Sequence, residues 1–365
     1  MNYTYLHYYV AMTMLKGIGP ISARRLLDTF DDPEQLFYLK KTEIQSLTGL
    51  NSEILENSGR EQALERADKI LEQHCRYNIK SIVIGDDEYP LKLLQCPDAP
   101  LVLYKLGLGD LNHPKNIAIV GTRTSTSYGH LVTRNIVKDL NVEIEQITSG
   151  LAEGIDTEAH KASIEHGINT VAVLGHGLDR VYPSSNKELA SEIIKNEGAL
   201  ISEFPVGVKP DRENFPKRNR IVAGMTSATI VVESSSKGGA LITARLALDY
   251  NRDVFAVPGS LFNKASLGCN AMINQQVAVP YLNKDLFLKE MGWKAKKKKI
   301  TQKSLPIGLN PIQSELYSFI RLKAPVSIDE ISLVLNLSIS KLNVELLQLE
   351  LRGIIRSLPG CNYTV

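Results

Sequence analysis

From residue 80 onward the chain repeats one pattern. Short apolar, β-branched runs (KSIVIG, LVLYKL, NIAIVG, IEQITSG, NTVAVLG, GALISE, ATIVVE and DVFAVPG) are separated, among the later ones, by amphipathic stretches of 10–15 residues. A strand covered on both faces loses the polar–apolar alternation of a half-exposed one, so unbroken apolar runs point to parallel strands under helices. Strand–helix alternation makes βαβ units. The fold class that follows is α/β, an extended Rossmann-like and mainly parallel sheet spanning 79–293.

The flanks differ. Over 1–78, apolar residues recur at three- and four-residue spacing in ISARRLLDTF and EQALERADKILEQ, which predicts a helical domain. Within it, MLKGIGPISARRLL places Gly17 and Gly19 before a helix opening with Pro20, a pattern similar to a helix-hairpin-helix (SAM-like) module. Free N–H groups at that helix start, with Arg24 and Arg25 behind them, could hold a phosphate. The glycines could equally make a tight turn between packed helices. Six lysines between Lys294 and Lys303 mark 294–308 as a solvated linker. Over 309–365, three helical stretches precede two short strands around a Pro-Gly turn, the order of a winged helix.

Bulk composition excludes several classes. A formal net charge of +2 over 365 residues gives no global basic field, so any nucleic-acid surface must be local. The four cysteines, Cys75, Cys96, Cys269 and Cys361, are far apart and form no C-x-x-C pair, which fits a reducing cytoplasm better than a disulfide framework. No apolar run approaches the roughly 18 residues that span a bilayer, so no membrane role is expected.

The loops after the strands concentrate parts that bind anions. Open α/β sheets bind ligands at the C-terminal ends of their strands. The first such loop, in IAIVGTRTSTSYG, offers Gly121 for close backbone approach, hydroxyls at Thr122 and Ser125, Arg123 to fork onto a phosphate, and the start of the next helix. It lacks G-x-G-x-x-G and any P-loop lysine, so it is no dinucleotide or nucleotide fingerprint. Gly150 and Gly154 flank a turn in ITSGLAEGIDTEAH, where Asp156 and Glu158 read as a helix start and His160 as structural. VAVLGHGLDRVYPSSNKEL carries Tyr182, Ser184 and Lys187. SSSKGGALITARLALDY adds a turn at Gly238 and Gly239.

PDRENFPKRNRIVAG is the most informative loop. Arg212, Lys217, Arg218 and Arg220 crowd nine positions beside Phe215 and Asn219. Cations beside an aromatic suit single-stranded nucleic acid, whose bases are free to stack, and also any polyphosphate. Arg218 and Arg220 could instead turn inward, towards acids such as Glu203 or Glu233. No nucleophile–base–acid set, H-E-x-x-H motif or metal-spaced carboxylate cluster appears, so neither an enzyme nor a cofactor is expected.

The stretches IAIVGTR, SGLAEGIDTEAH, VAVLGHGLDRVYPSSN, SEFPVG, FPKRNRIVAG, LITARLAL, VFAVPG and LGCNAMIN run in order across roughly 80–290. In this series the chain resembles the DNA-processing protein A family (DprA, also called Smf). The resemblance implies single-stranded DNA binding, homodimerisation and delivery of the strand to the RecA recombinase during natural transformation, without enzymatic activity. It makes Arg123 the leading DNA contact, Phe215 a base contact and Arg212 a phosphate contact. Some members carry a lysine after the Tyr-Pro; here Ser184 fills that slot and Lys187 follows, leaving that contact open. It also implies a dimer surface at LGCNAMINQQVAVP, through Met272, Ile273, Val277 and Val279, which could equally be core.

Two other functions compete. A phosphoribohydrolase-type nucleotide enzyme would carry P-G-G-x-G-T-x-x-E, but KGGALITAR lacks the glutamate. A dimeric interaction scaffold would use the end domains. The third helix of the winged unit carries Lys341, Glu345, Glu350 and Arg352, a balance near zero that favours protein contact over groove reading.

Overall fold

Five helices open the chain: α1 (Tyr3–Met14), α2 (Pro20–Thr29), α3 (Gln35–Tyr38), α4 (Lys41–Thr48) and α5 (Asn57–Arg76). The computed structural model describes residues 3–30, 32–49, 57–294, 309–358, 360 and 362–364. Gly17, at φ +85°, turns the chain between α1 and α2. Gly19 caps α2 ahead of Pro20, where a missing N–H does no harm. Arg24 does not stand behind that helix start as a free cation. Its Nη1 donates to the carbonyls of Leu94 and Cys96, both at 3.0 Å, tying the hairpin to the sheet unit; Arg25 stays exposed.

The helical layer shares its core with the sheet. Val10, Leu26, Leu36 and Ala67 belong to the same buried cluster as Val83, Val102, Tyr104 and Leu200. The chain forms two compact units, Met1–Lys296 and Lys297–Val365. The helices of 1–78 are therefore one layer of a larger body. The lysine-rich stretch lies outside the described residues from 295 on.

The first unit continues as β1 (Lys80–Val83), α6 (Leu91–Leu94), β2 (Val102–Gly107), β3 (Asn116–Val120), α7 (Ser127–Leu140), β4 (Gln146–Ser149), α8 (Ile155–Glu165), β5 (Asn169–Leu174), α9 (Lys187–Lys195), β6 (Ala199–Ser202), α10 (Asn214–Gly224), β7 (Ala228–Val231), α11 (Ala240–Asp249), β8 (Asp253–Ala256), α12 (Leu267–Asn274), β9 (Val279–Pro280) and α13 (Lys284–Glu290). Each of the eight apolar runs forms a strand. The sheet order is β1-β2-β6-β5-β4-β3-β7-β8-β9; β2 pairs antiparallel with both β1 and β6, and every other pairing is parallel. Both faces are covered. Along β3, Ala118 and Val120 enter one buried cluster while Ile117 and Ile119 enter another on the opposite side.

The strand order fixes where a ligand can sit. From β3 the chain runs through β4, β5 and β6 in one direction, then returns to place β7 on the other side of β3. Loops leaving β3 and β7 therefore diverge, opening a crevice at their C-terminal ends.

The second unit holds α14 (Pro311–Lys323), β10 (Val326–Ser327), α15 (Ile328–Leu335), α16 (Ile339–Leu351), β11 (Arg356–Leu358) and β12 (Asn362–Thr364). Leu316, Ile320, Ile331, Leu342, Leu346 and Leu349 form its core, and β10-β12-β11 make a small sheet. This is a winged helix. Its first strand is too short to show in the sequence pattern.

Candidate nucleic-acid interface

The turn after β3 is built around a carboxylate of the protein itself. Gly121 packs so close to α8 that a Cβ would fall 2.5 Å from Ile155 Cγ1. Thr122 N donates to the Glu233 carbonyl at 2.8 Å. Thr126 caps α7 by accepting from Gly129 N at 3.2 Å, while its own N–H and hydroxyl donate to the Glu233 carboxylate at 2.9 and 2.6 Å. Glu233, at the end of β7, is fully buried. The expected opening of this helix start towards an external phosphate is therefore narrowed: the Glu233 carboxyl group takes the Thr126 N–H and hydroxyl, and the Thr126 hydroxyl in turn takes the Gly129 N–H. Ser125 is also engaged within the turn, 2.9 Å from His130 Nε2.

A cleft of about 620 Å³ opens beside this turn, at the crevice between β3 and β7. Gly121, Thr122 and Arg123 form one wall. Gly238, Gly239 and the first turn of α11 form the other, and Gly150 with Arg218 the base. From α10, Phe215, Arg218, Asn219 and Val222 face it, a stripe at i, i+3, i+4 and i+7. Arg123 is exposed, and its guanidinium lies over the Phe215 ring, 5.0 Å from the centroid. Tyr182 leans on Phe215 from beyond, with ring centroids 5.9 Å apart. Arg212 is exposed at the rim. A recess of about 50 Å³ lies between Arg123, Tyr182, Phe215 and Arg218.

The two arginines of the cleft differ in environment. Arg218 is buried, and its Nη1 donates to the Val173 carbonyl. A Cβ at Gly150 would overlap the Arg218 guanidinium, so a side chain there would displace Arg218. The buried Asp156 carboxylate accepts from Gly150 N at 3.1 Å and Ala152 N at 3.4 Å. Burial raises the Asp156 pKa, against the opposing charge of Arg218. Burial likewise pushes Arg218 down to about 10, opposed by Asp156 and assisted by the like charge of Arg123. Asp156 and Arg218 thus offset each other under the floor, and the outward cations are Arg123 and, at the rim, Arg212.

Other expected contacts fall elsewhere. Arg220 turns inward, donating to the Asp98 carbonyl and pairing with Glu203, one of the two acids the sequence offered. Burial raises the Glu203 pKa against the pull of Arg220. Lys217 is exposed but does not line the cleft, and Lys187 opens α9 away from it. Gly154, at φ +82°, supports from behind: a Cβ would strike the carbonyl oxygens of Thr122 and Arg123. Of the expected dimer residues, Met272 is core, Ile273 is half-buried, and Val277 and Val279 are exposed. His160 is buried with Nδ1 2.7 Å from Thr170 Oγ1, an internal residue.

Tyr182 and Asp156 belong to the cleft and were not singled out as binding residues. Tyr182 carried a readable signal, an aromatic in the loop at the C-terminal end of β5. Asp156 carried none, since a helix-start acid looks the same whether it faces solvent or the floor of a cleft.

Similarity to known proteins covers both units of the chain. The sequence profile described as DNA recombination-mediator protein A matches residues 80–292, and that described as DprA winged helix domain matches 302–361. Protein Smf of Synechocystis sp. is 32% identical over 98% of both chains. The X-ray structure of DNA processing protein A from Streptococcus pneumoniae superposes with a TM-score of 0.65 at 32% identity, covering 80% of this chain and 99% of that one. A structure of DNA processing protein A from Helicobacter pylori, described in terms of its single-stranded DNA binding mode, superposes with a TM-score of 0.53 at 27% identity, covering 58% and 95%.

Proposed function

Because the chain belongs to the DNA recombination-mediator protein A (DprA/Smf) family, we propose that it binds single-stranded DNA across the cleft between β3 and β7. One observation carries this reading: Arg123, exposed, lies over the ring of Phe215 in one groove. A strand backbone needs a cation and an unpaired base needs a flat apolar face, and the two stand together here. Gly239 and Ala240 at the start of α11, both in the cleft wall, put helix-start N–H groups within reach of a neighbouring phosphate. The cleft acts by binding. Asp156 is the one carboxylate lining it among the described residues, and it is buried and hydrogen-bonded.

Fluorescence anisotropy with oligo(dT) tests the assignment. Affinity is expected to fall with salt at a log–log slope of about −0.7 per neutralised phosphate. Phe215→Ala is expected to weaken binding by about 1–3 kcal/mol through lost stacking, and Arg123→Ala to weaken it while flattening the salt slope. Unchanged binding in the double variant would overturn the site.

The bound strand is protected and handed to a RecA recombinase in the cytoplasm by a homodimer, the role that the family resemblance implies during natural transformation. Val277 and Val279, both exposed, are the dimer contacts of choice. The winged helix serves protein contact. In α16, Val344, Leu347 and Leu351 form an exposed apolar stripe opposite the buried Leu342, Leu346 and Leu349. Glu345 and Glu350 on the same helix would repel a DNA backbone. Recombinase assembly on a single strand, followed with and without the protein, tests the hand-over.

A further inference from the structure

The loop after β8, PGSLFNKAS, holds the most exposed aromatic side chain among the described residues. Phe262 is 97% exposed and its neighbour Leu261 75%. Hydrogen bonds tie this loop on both sides of the ring. Asn270 grips Gly259 through both its amide groups, at 3.1 and 3.0 Å. Phe262 N donates to Ser260 Oγ at 3.3 Å, Asn263 N to the Ser260 carbonyl at 3.2 Å and Ser266 N to the Asn263 carbonyl at 2.9 Å. The Phe ring thus stands out in water on a hydrogen-bonded loop.

Its position continues the cleft. Ser234, in the cleft wall, donates to the Ala265 carbonyl at 2.7 Å and accepts from Gly268 N at 2.8 Å, so the two loops share a boundary. Across it lies a second hollow of about 480 Å³, between Tyr128 and Ser260, Asn263 and Ser266. Tyr128 forms its far side and donates to the Pro258 carbonyl at 2.9 Å. Neighbouring strands lie about 4.8 Å apart, so the loop after β8 stands about 10 Å along the sheet edge from the turn after β3, a span of a few nucleotides. Charge agrees: no carboxylate occurs between Glu233 and Asp249 or between Asp253 and Asp285, whereas Lys237 and Lys264 are exposed. Glu233 is buried and held by Thr126.

We propose that Phe262 and Tyr128 form a second base-stacking station, on which single-stranded DNA leaving the Arg123–Phe215 cleft rests its next bases. This rests on the single-strand reading of the cleft and adds length to it. The strand's phosphates run past Lys237 and Lys264, while its unpaired bases find the Phe262 ring.

Full-length protein, Phe262→Ala and Arg123→Ala are titrated with oligo(dT) of about 6 and about 20 nucleotides, within and beyond one small site. Phe262→Ala is expected to bind the short strand like wild type and the long one about tenfold more weakly, with unchanged oligomeric mass by light scattering. Arg123→Ala is expected to weaken both. Phe262→Trp, which keeps the stacking face, is expected to retain affinity and to be quenched by the long strand and not by the short one. Equal long-strand affinity in Phe262→Ala, or a mass change that accompanies its loss, overturns the station, the latter by making the patch an interface between copies. Wild-type protein that binds neither strand overturns the cleft reading, and this inference with it.

Discussion

Arg123 and Arg218 stand in one cleft and do opposite work. Arg123 is free to meet a ligand, whereas Arg218 holds the floor beneath it, balancing Asp156 and filling the space that Gly150 leaves. Removing a buried charge that compensates another is costly, so Arg218→Met is expected to lower unfolding free energy by on the order of 3 kcal/mol. Arg123→Met, at the surface, is expected to leave stability within about 0.5 kcal/mol while weakening strand binding. Denaturant titration of both variants checks this. The sequence set these cations in one run but left their direction open, because a run such as KRNR carries no sign of which cation points inward. The helical period held a partial answer, since Phe215, Arg218, Asn219 and Val222 fall on one stripe of α10.

Among elements, the strands were the most legible, because burial on both faces writes itself as an unbroken apolar run. What the runs do not encode is direction, so nothing in LVLYKL marks β2 as antiparallel to both its neighbours. Nor can two-residue pairings such as β9 and β10 produce a period. Glycines between elements sort by what stands opposite them. At Gly154 a side chain would meet both left-handed backbone and two carbonyl oxygens of the turn that carries Arg123. Gly154→Ala is therefore expected to cost about 1–3 kcal/mol and to misplace Arg123. Gly239 has open space at its Cβ position, so Gly239→Ala is expected to leave stability within about 0.5 kcal/mol. Thermal unfolding of the two variants separates these outcomes.

At the scale of the whole molecule, the pattern changes from helix to strand after residue 78, and the family profile begins at residue 80, yet one buried cluster runs across that boundary. Pattern reports local structure, and cores are set by what packs on what. Deleting 1–78 would bare Val83, Val102 and Tyr104, so that truncation is expected to aggregate. Deleting 309–365, which has a core of its own, is expected to leave the melting of the sheet unit unchanged. Calorimetry on the two truncations distinguishes them. The same seam should be acid-sensitive. His74, on α5, stacks edge-on to Tyr104 at 4.4 Å and accepts from Val206 N at 3.4 Å. Burial pushes its pKa down to about 4, and that of His160 down to about 3 with a smaller contribution from Arg218. Thr170 spends its hydroxyl hydrogen on the Ile147 carbonyl, so His160 must donate from Nδ1, leaving Nε2 with no partner to greet a second proton. Between these values and the unfolded value near 6.5, the unfolded chain binds more protons than the folded one. Stability is then complete above about pH 6.5 and falls as pH drops towards 4. A His74→Gln variant, followed by circular dichroism from pH 7 to 4, is expected to lose less of its stability over that range than wild type.

Glu233 gives the fold a settled character. In a sheet of this class, the helix start after the first parallel strand is the seat that a cofactor's phosphate would take. Here a carboxylate from a neighbouring strand sits in it permanently. The turn that holds Arg123 out is therefore assembled as soon as the chain folds, with nothing borrowed from the surroundings. On the single-strand reading of the cleft, Arg123 is in place before any ligand arrives.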